Sequence, residues 1–396
     1  MTVQEGDLRM NDIQALDGDG HVEEWEATWS DEYLEPKYRD RRPKVIETGE
    51  FEHDYIWEID GERIRVGGSP SSRDGVVSTE YELMAKWRGP HESGEFHSAE
   101  DRLAVMDAES TYLSVNYPTL LLHWPIVKDP DLNAGLTRSY NNWVADVSNQ
   151  SPERLKWVTV IDPRDPSEAV REMERTKKMG SLGIMVFGDY GNKALDHPDF
   201  EPIWAAAQDL ELPVNVHPGM GAKDALKDWK NIAGDQFLTS VVRGFKTICG
   251  SGILDRYPKV KVSFLETGCT WVDFAVAVMD FTLDNVKDRM ELGTIRSEHQ
   301  PIIDRGLPQA TPLEYIKDGR IFIGFEVDDQ LLPYMVGKYG TDCWVYASDI
   351  PHAHRIPDSP KFLMNRTDLT QEQKDRIIWK GTTELYGLKA PQAVGS

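Results

Sequence analysis

Cysteine is scarce in this sequence, with Cys249, Cys269 and Cys343 the three examples in 396 residues. An odd, widely spaced set excludes a disulfide framework and lacks the close spacing of thiolate metal sites. The sequence also has no run of about 18 apolar residues, and its N-terminus lacks the apolar core of a signal peptide. We therefore expect a soluble, cytoplasmic protein that does not insert into a membrane.

Positive charge is in short supply as well. The 44 Lys and Arg residues are outnumbered by 67 Asp and Glu residues, so the formal net charge at pH 7 is −23. This field repels the phosphates of nucleic acids and anionic lipid surfaces, and we expect neither as a partner. A small-molecule substrate is not excluded, because an anionic ligand needs only a local basic patch.

Short apolar runs rich in β-branched and aromatic residues predict buried strands. They cover residues 112–117, 155–162, 182–187, 212–217, 259–266, 320–326 and 343–348. The intervening helical patterns are at 98–110, 129–149, 166–179, 199–210, 235–250, 271–290, 328–338 and 370–386. Strands that alternate with helices form parallel sheets, and a further strand in the opening segment brings the number to about eight. We therefore predict an α/β fold, a closed (β/α)8 TIM barrel.

Residues 25–97 interrupt this alternation directly after the first strand. The stretch is rich in tryptophan and charge, and it contains a hairpin-like pair, YIWEID and RIRVGG, around Gly61. Insertions at this point lie over the C-terminal mouth of a barrel, where barrel enzymes keep their active sites. We predict a single metal-dependent domain over residues 1–396 with 25–97 as a lid. A flap that serves oligomerisation is the alternative.

Histidines and acids cluster where the predicted strands end. The first strand ends in Asp19 and His21, followed by Glu23 and Glu24. Later strand ends supply His217, Glu266, Glu326 and Asp349, the last of them within SDIPHAH, which adds His352 and His354. Each group is a weak signal alone, since a single histidine is more often a core residue and a single acid more often caps a helix.

The convergence of these groups predicts a metal site. Catalytic groups of a barrel come from the C-terminal ends of different strands, so these side chains are expected to meet at one mouth. Carboxylates packed together repel each other and cannot all ionise without a cation. Alternation along the first strand also places Asp19 and His21 on the same face. A mixed imidazole and carboxylate set suits zinc, manganese or iron and is a poor structural zinc site.

Six stretches resemble the amidohydrolase-related barrels of the second amidohydrolase family, which includes aromatic-acid decarboxylases of the aminocarboxymuconate semialdehyde type. They read DGDGHVEE, YLEPKYRDRRPKV, YNNWVADV, FEPIWAAAQDLELPVNVHPG, FLETGCTWV and YASDIPHAH. The resemblance runs from about residue 13 to 386 and implies a (β/α)8 barrel with a divalent metal. Matched motif by motif, it places metal ligands at Asp19, His21, His217 and Asp349. Glu24 falls at the Glu of the family's GHVLEP stretch, so it is preferred to Glu23 as a further ligand.

Two departures from the family's pattern suggest oxygen chemistry. Asp19 replaces the first His of a His-x-His motif, and strand four offers no clear lysine for carbamylation. Once Glu266, or Glu326 as the alternative, is added to the other acids at the mouth, their negative charge exceeds what one divalent ion neutralises. Carboxylate-rich pairs of sites hold two irons in helical proteins. A branch of the family with a similar insertion and Asp-x-His start contains a non-haem di-iron monooxygenase, which hydroxylates a CoA-linked diterpenoid in platensimycin and platencin biosynthesis.

These features predict an iron-dependent monooxygenase that holds two iron ions and uses O₂ to hydroxylate an apolar, diterpenoid-like substrate. The alternative is a mononuclear zinc or manganese enzyme, either a hydrolase or a non-oxidative decarboxylase. In that case Asp349 is a proton shuttle, or His352 is the acid. Metal stoichiometry and oxygen dependence distinguish the two. We also expect a homo-oligomer, a dimer formed through the insertion.

Overall fold

A computed structural model describes residues 15–47, 55–64, 96, 98–123, 125–219, 235–297, 300–352 and 355–389. The strands are β1 Ala15–His21, β2 Lys44–Glu47, β3 Tyr55–Ile59, β4 Glu62–Ile64, β5 Thr111–Tyr117, β6 Leu155–Trp157, β7 Thr159–Val160, β8 Ile184–Phe187, β9 Asp189–Tyr190, β10 Lys193–Ala194, β11 Val214–His217, β12 Val262–Phe264, β13 Ile321–Phe325 and β14 Trp344–Tyr346.

The α-helices are α1 Ala99–Ala108, α2 Pro130–Ser148, α3 Pro166–Met179, α4 Glu201–Asp209, α5 Asp235–Gly250, α6 Ile253–Arg256, α7 Trp271–Glu291, α8 Gln300–Arg305, α9 Pro312–Lys317, α10 Leu332–Tyr339, α11 Ser359–Asn365, α12 Gln371–Ile377 and α13 Lys380–Tyr386. Short 3₁₀ helices cover Glu26–Trp29, Pro36–Arg41, Leu120–His123 and Pro198–Phe200. Within the described ranges, none of these helices has the length and apolar character needed to span a bilayer.

The parallel strands close into a (β/α)8 barrel, as the sequence predicts. One group of strands pairs in the order β1, β5, β6, and a second in the order β7, β8, β11, β12, β13, β14. β6 and β7 are two halves of one strand around Val158. The ring closes where the backbone N–H of Asp349 donates to the carbonyl of Asp19 at 3.3 Å and that of His21 to Ile350 at 2.7 Å. These bonds place β1 beside β14, so the first and last strands of the barrel are neighbours.

Local signals explain where the outer helices begin and end. In α3 the carboxylate of Asp165 accepts the backbone N–H of Glu168, and Gly180 ends the helix with φ 104°, a conformation that glycine adopts without strain. The predicted helix 370–386 is instead two helices, because the backbone of Trp379 leaves the helical region at φ −143°. Its second half also needs Gly381, since a Cβ there would lie 1.9 Å from the carbonyl oxygen of Trp344.

The described part of the insertion packs beside α2. β2, β3 and β4 form an antiparallel sheet, and Trp57 of β3 contacts Trp29 edge to face, with ring centroids 5.2 Å apart. The Trp29 indole N–H in turn donates to the carbonyl of Leu136 in α2. The lid predicted over 25–97 stays a prediction, because 48–54, 65–95 and 97 lie outside the described residues.

Candidate metal centre

Imidazole and carboxylate groups from four barrel strands meet at the C-terminal mouth. Their ligand atoms form two groups, each within 4.8 Å, that share His21. The first group contains Asp19, His21 and His217, and the second contains His21, Glu266, Asp349 and His352. Asp19, His21 and His217 are at most 1% exposed. The predicted convergence of strand ends therefore holds for these six residues.

The two histidines of the first group aim their lone pairs at one point. His21 Nδ1 lies 2.9 Å from the carbonyl oxygen of Pro118, and His217 Nδ1 lies 2.9 Å from that of Pro218. A carbonyl only accepts, so both Nδ1 atoms carry hydrogen and a neutral ring leaves Nε2 as an acceptor. The two Nε2 atoms are 3.3 Å apart. Two facing lone pairs at this distance require a proton or a cation between them.

Asp19 completes this arrangement. Both of its carboxylate oxygens are buried and have no hydrogen-bond partner among the described residues. Burial raises the pKa of Asp19 well above its usual range, because desolvation disfavours the charged form. Burial also lowers the pKa of His21 well below its usual range, so this ring is neutral and free to coordinate. An orphaned carboxylate beside two imidazole lone pairs fits a divalent cation of the zinc or manganese type.

Among the described residues, Glu266 is the acid closest to His217. Its Oε2 lies 2.9 Å from His217 Nε2, whereas Oδ1 of Asp19 lies 3.6 Å away. Burial alone lowers the pKa of His217, but the charge and hydrogen bond of Glu266, together with Asp19, raise it to about 9. Glu266 and Asp349 also have left-handed backbones, at φ 53° and 57°. Such conformations are uncommon for residues other than glycine, and they concentrate at functional sites.

Asp349 and His352 form a buried pair beside the first group. His352 Nδ1 lies 2.7 Å from Oδ1 of Asp349, and His352 Nε2 lies 2.9 Å from the hydroxyl of Thr119. That hydroxyl donates its only hydrogen to the carbonyl of Val22 at 2.8 Å, so it accepts the Nε2–H of His352. The ring is therefore held with Nδ1 towards Asp349, where a proton can pass between the two groups.

Two further polar residues support these strand ends, and sequence reasoning missed both. Asp17 accepts the hydroxyls of Ser114 and Ser348 at 2.8 and 2.6 Å, which ties β1 to its two neighbours. Arg102 of α1 is fully buried and donates to the carbonyls of His21 and Ile350 and to the side chain of Asn116. Alternation from Asp19 could have suggested Asp17. Nothing in the sequence singles out Arg102, because α1 reads as an ordinary outer helix.

Glu24 lies outside both ligand groups. Its carboxylate accepts the backbone N–H groups of Thr119, Leu120 and Leu121 at 3.1, 2.8 and 3.2 Å. Burial raises the pKa of Glu24 to about 7, even though these bonds act to lower it. Among the described residues, the other acids weighed as ligands, Glu23 and Glu326, are also outside the two groups. His354 lies outside the described residues.

The sequence is similar to known decarboxylases over part of its length. The sequence model of a family described as Amidohydrolase matches residues 122–292. The gamma-resorcylate decarboxylase of Polaromonas sp. (strain JS666) is 26% identical over 179 residues, 41% of this chain and 53% of the relative. The 2-amino-3-carboxymuconate-6-semialdehyde decarboxylase of Dictyostelium discoideum is 20% identical over 279 residues, 68% of this chain and 71% of the relative. The chain thus spans about half the length of the first of these curated relatives.

Solved structures share the fold over nearly the whole chain. An amidohydrolase from Mycobacterium avium subsp. paratuberculosis superposes with a TM-score of 0.69 at 18% identity, covering 97% of this chain and 99% of the other. A mutant 5-carboxyvanillate decarboxylase from Novosphingobium aromaticivorans, with bound manganese, gives 0.66 at 18% identity, covering 95% and 97%. At these identities the likeness establishes the barrel fold.

The prediction of an iron monooxygenase, and with it of an oxidoreductase, is wrong. The relatives are named as decarboxylases, which points to a non-oxidative reaction. Two iron ions are likewise not supported, and the related decarboxylase holds manganese. The structure supplies the physical reason. One of the acids that suggested a second ion is held elsewhere, because backbone amides bind Glu24 and it lies outside both ligand groups.

Proposed function

We propose that this chain is an amidohydrolase-type enzyme that catalyses non-oxidative decarboxylation of a small carboxylic acid. In this proposal one divalent ion is held by Asp19, His21, His217 and Asp349, with Glu266 at its edge. The observation that carries it is the buried carboxylate of Asp19 beside two imidazole Nε2 atoms that lie 3.3 Å apart. The barrel fold and the decarboxylases among the similar proteins support the same chemistry.

Loss of CO₂ requires two things of the protein. The carbon–carbon bond breaks with its electron pair left on the substrate, and the carbon that carried the carboxylate gains a proton in its place. A bound divalent cation would hold the substrate's oxygen atoms and withdraw electron density from the breaking bond. The Asp349–His352 pair supplies the proton, since its atoms are 2.7 Å apart and both residues are buried. Burial also limits competition by bulk water.

The substrate we propose is a hydroxylated aromatic carboxylate. The similar structures include 5-carboxyvanillate decarboxylase with bound 3-methoxy-4-hydroxy-5-nitrobenzoic acid, and 2,6-dihydroxybenzoate decarboxylase with its substrate. A ring hydroxyl beside the carboxylate gives the cation two oxygen atoms to hold. It also lets the ring carbon accept a proton before the carboxylate leaves. Manganese or zinc is the proposed metal, because the ligand set contains imidazole and carboxylate but no thiolate.

The test is a metal-reconstitution assay with labelled substrates. Chelator-stripped protein is loaded with Mn²⁺ or Zn²⁺ and incubated, with and without oxygen, with ¹³C-carboxyl hydroxybenzoates in D₂O. We expect ¹³CO₂ at equal rates in both atmospheres and deuterium at the carbon that carried the carboxylate. Hydrolysis of amide, ester or lactone probes without ¹³CO₂ release would replace decarboxylation with hydrolysis. Failure to bind any divalent ion would overturn the proposal altogether.

A further inference from the structure

Glu24 is a buried carboxylate that holds a turn of the backbone. It is 2% exposed, and its two oxygens accept the N–H groups of Thr119, Leu120 and Leu121 at 3.1, 2.8 and 3.2 Å. These groups begin the 3₁₀ helix that follows β5, where backbone donors have no partner within the helix. A carboxylate has about four acceptor positions. Three of those on Glu24 are therefore occupied by the turn.

The turn that Glu24 holds also orients two imidazoles. The carbonyl of Pro118 accepts the Nδ1–H of His21 at 2.9 Å, which leaves His21 Nε2 pointing at the proposed metal. The hydroxyl of Thr119 accepts the Nε2–H of His352 at 2.9 Å, which leaves His352 Nδ1 facing Asp349. Both contacts come from consecutive residues, so a shift of this turn would move both rings.

We propose that Glu24 is a positioning residue that sets the orientation of His21 and His352 through the 118–121 turn. This assignment rests on the proposed function in one respect, because it takes from it the roles of His21 in metal binding and of His352 in proton transfer. Glu24 follows β1, and the turn follows β5, so its hydrogen bonds clamp two neighbouring strand ends at the mouth. Partners of this kind fix the tautomer and direction of metal-binding histidines, and their loss typically costs about 10- to 100-fold in metal affinity.

The test uses Glu24→Gln, which keeps the shape but replaces one acceptor by an N–H₂ group. At least one backbone donor then loses its partner. Glu24→Met removes all acceptors and is measured in parallel. Each variant is titrated with Co²⁺ and Zn²⁺, and the zinc form is labelled with ¹⁵N-histidine for NMR. Signals of the two rings are assigned with His21→Asn and His352→Asn.

We expect Glu24→Gln to bind the same number of ions as wild type with an unchanged Co²⁺ absorption spectrum and an affinity lower by about tenfold. The Nε2–H signal of His352 and the Nδ1–H signal of His21 should weaken through faster exchange. An altered Co²⁺ spectrum with both histidine signals intact would instead make Glu24 a metal ligand. Wild-type signals and affinity would reduce it to a purely structural residue, and either result overturns the proposal.

Glu172→Gln is the matched control. Glu172 is another buried carboxylate, 5% exposed, but it binds Asn141 and Arg175 on the outer helices. Its loss should leave metal binding and both histidine signals unchanged. Each of the two proposals can also be disproved independently of the other. If wild-type protein binds no metal, the proposed function fails, while the histidine signals of the metal-free protein still test the role of Glu24.

Discussion

Oε2 of Glu266 lies 2.9 Å from Nε2 of His217, the same nitrogen that faces His21 at 3.3 Å. In the metal-free protein this nitrogen carries a proton, since the pKa of His217 is raised to about 9. In the metal complex that we propose, the lone pair of the same nitrogen binds the ion. Metal and proton therefore compete for one atom.

Metal affinity is accordingly expected to rise with pH. Below pH 9 each bound ion displaces the proton of His217, so affinity should rise at least about tenfold per pH unit and level off above pH 9. Asp19, whose pKa is raised by burial, adds to the proton release. Competition titrations of Zn²⁺ against a chelator from pH 6.5 upwards measure the slope. Glu266→Gln should move the plateau to lower pH, and a flat profile would contradict the competition.

His217→Ala should fold and lose most of its bound metal. The substitution removes one imidazole from the first group and leaves the buried carboxylate of Asp19 with a single neutral nitrogen partner. Metal analysis after dialysis, together with circular dichroism, measures both effects. His197→Ala is the control, because His197 is a half-buried histidine at the start of a 3₁₀ helix, outside both ligand groups. Full metal occupancy in His217→Ala would make His217 an ordinary core histidine.

Asp349→Asn should keep the fold and abolish turnover. Asparagine tolerates the left-handed backbone found at this residue, φ 57°, but it cannot pass a proton to or from His352. We expect kcat to fall by about 10²-fold or more, with helical content unchanged. Asp342→Asn removes a surface ion pair with Arg376 and should leave turnover intact. Comparable activity in the two variants would remove Asp349 from the chemistry.

Arg102→Met should destabilise the protein and weaken metal binding together. The change leaves buried acceptors at His21, Ile350 and Asn116 without their donor, at about 1–3 kcal/mol for each unsatisfied group. Urea unfolding and zinc titration measure the two effects. Arg171→Ala, at a side chain 63% exposed, should change the free energy of unfolding by less than about 0.5 kcal/mol. Normal metal affinity in a destabilised Arg102→Met would confine Arg102 to stability.

Trp57→Ala should destabilise the protein without altering the metal centre. Trp57 is 1% exposed and packs on Trp29, so the cavity left behind costs about 3–5 kcal/mol. Denaturant unfolding gives this value, and Phe281→Ala, at an aromatic 73% exposed, is the matched control. A loss of metal in Trp57→Ala would show that the insertion also supports the mouth of the barrel.

The sequence alone determined the barrel and most of the strand ends that carry the candidate ligands. Short apolar runs that alternate with amphipathic helices leave few other solutions, because a parallel strand is buried on both faces and needs a helical crossover. Alternation along β1 then fixed the shared face of Asp19 and His21. The strand ends also pointed to His217, Glu266 and Asp349, since the carboxyl ends of parallel strands meet at one rim.

Only the tertiary structure decided how the acids are partnered. Asp17 meets Ser348, and Arg102 meets Ile350, across more than two hundred residues of chain, and such contacts have no local signal. Counting acids suggested a second cation, but the charge that a cation must offset depends on which carboxylates already have donors. Glu24 has backbone amides, whereas both carboxylate oxygens of Asp19 have no hydrogen-bond partner among the described residues. That difference arises from how the strand ends pack when the barrel closes, because a hydrogen-bond partner within 3 Å is a property of three-dimensional position.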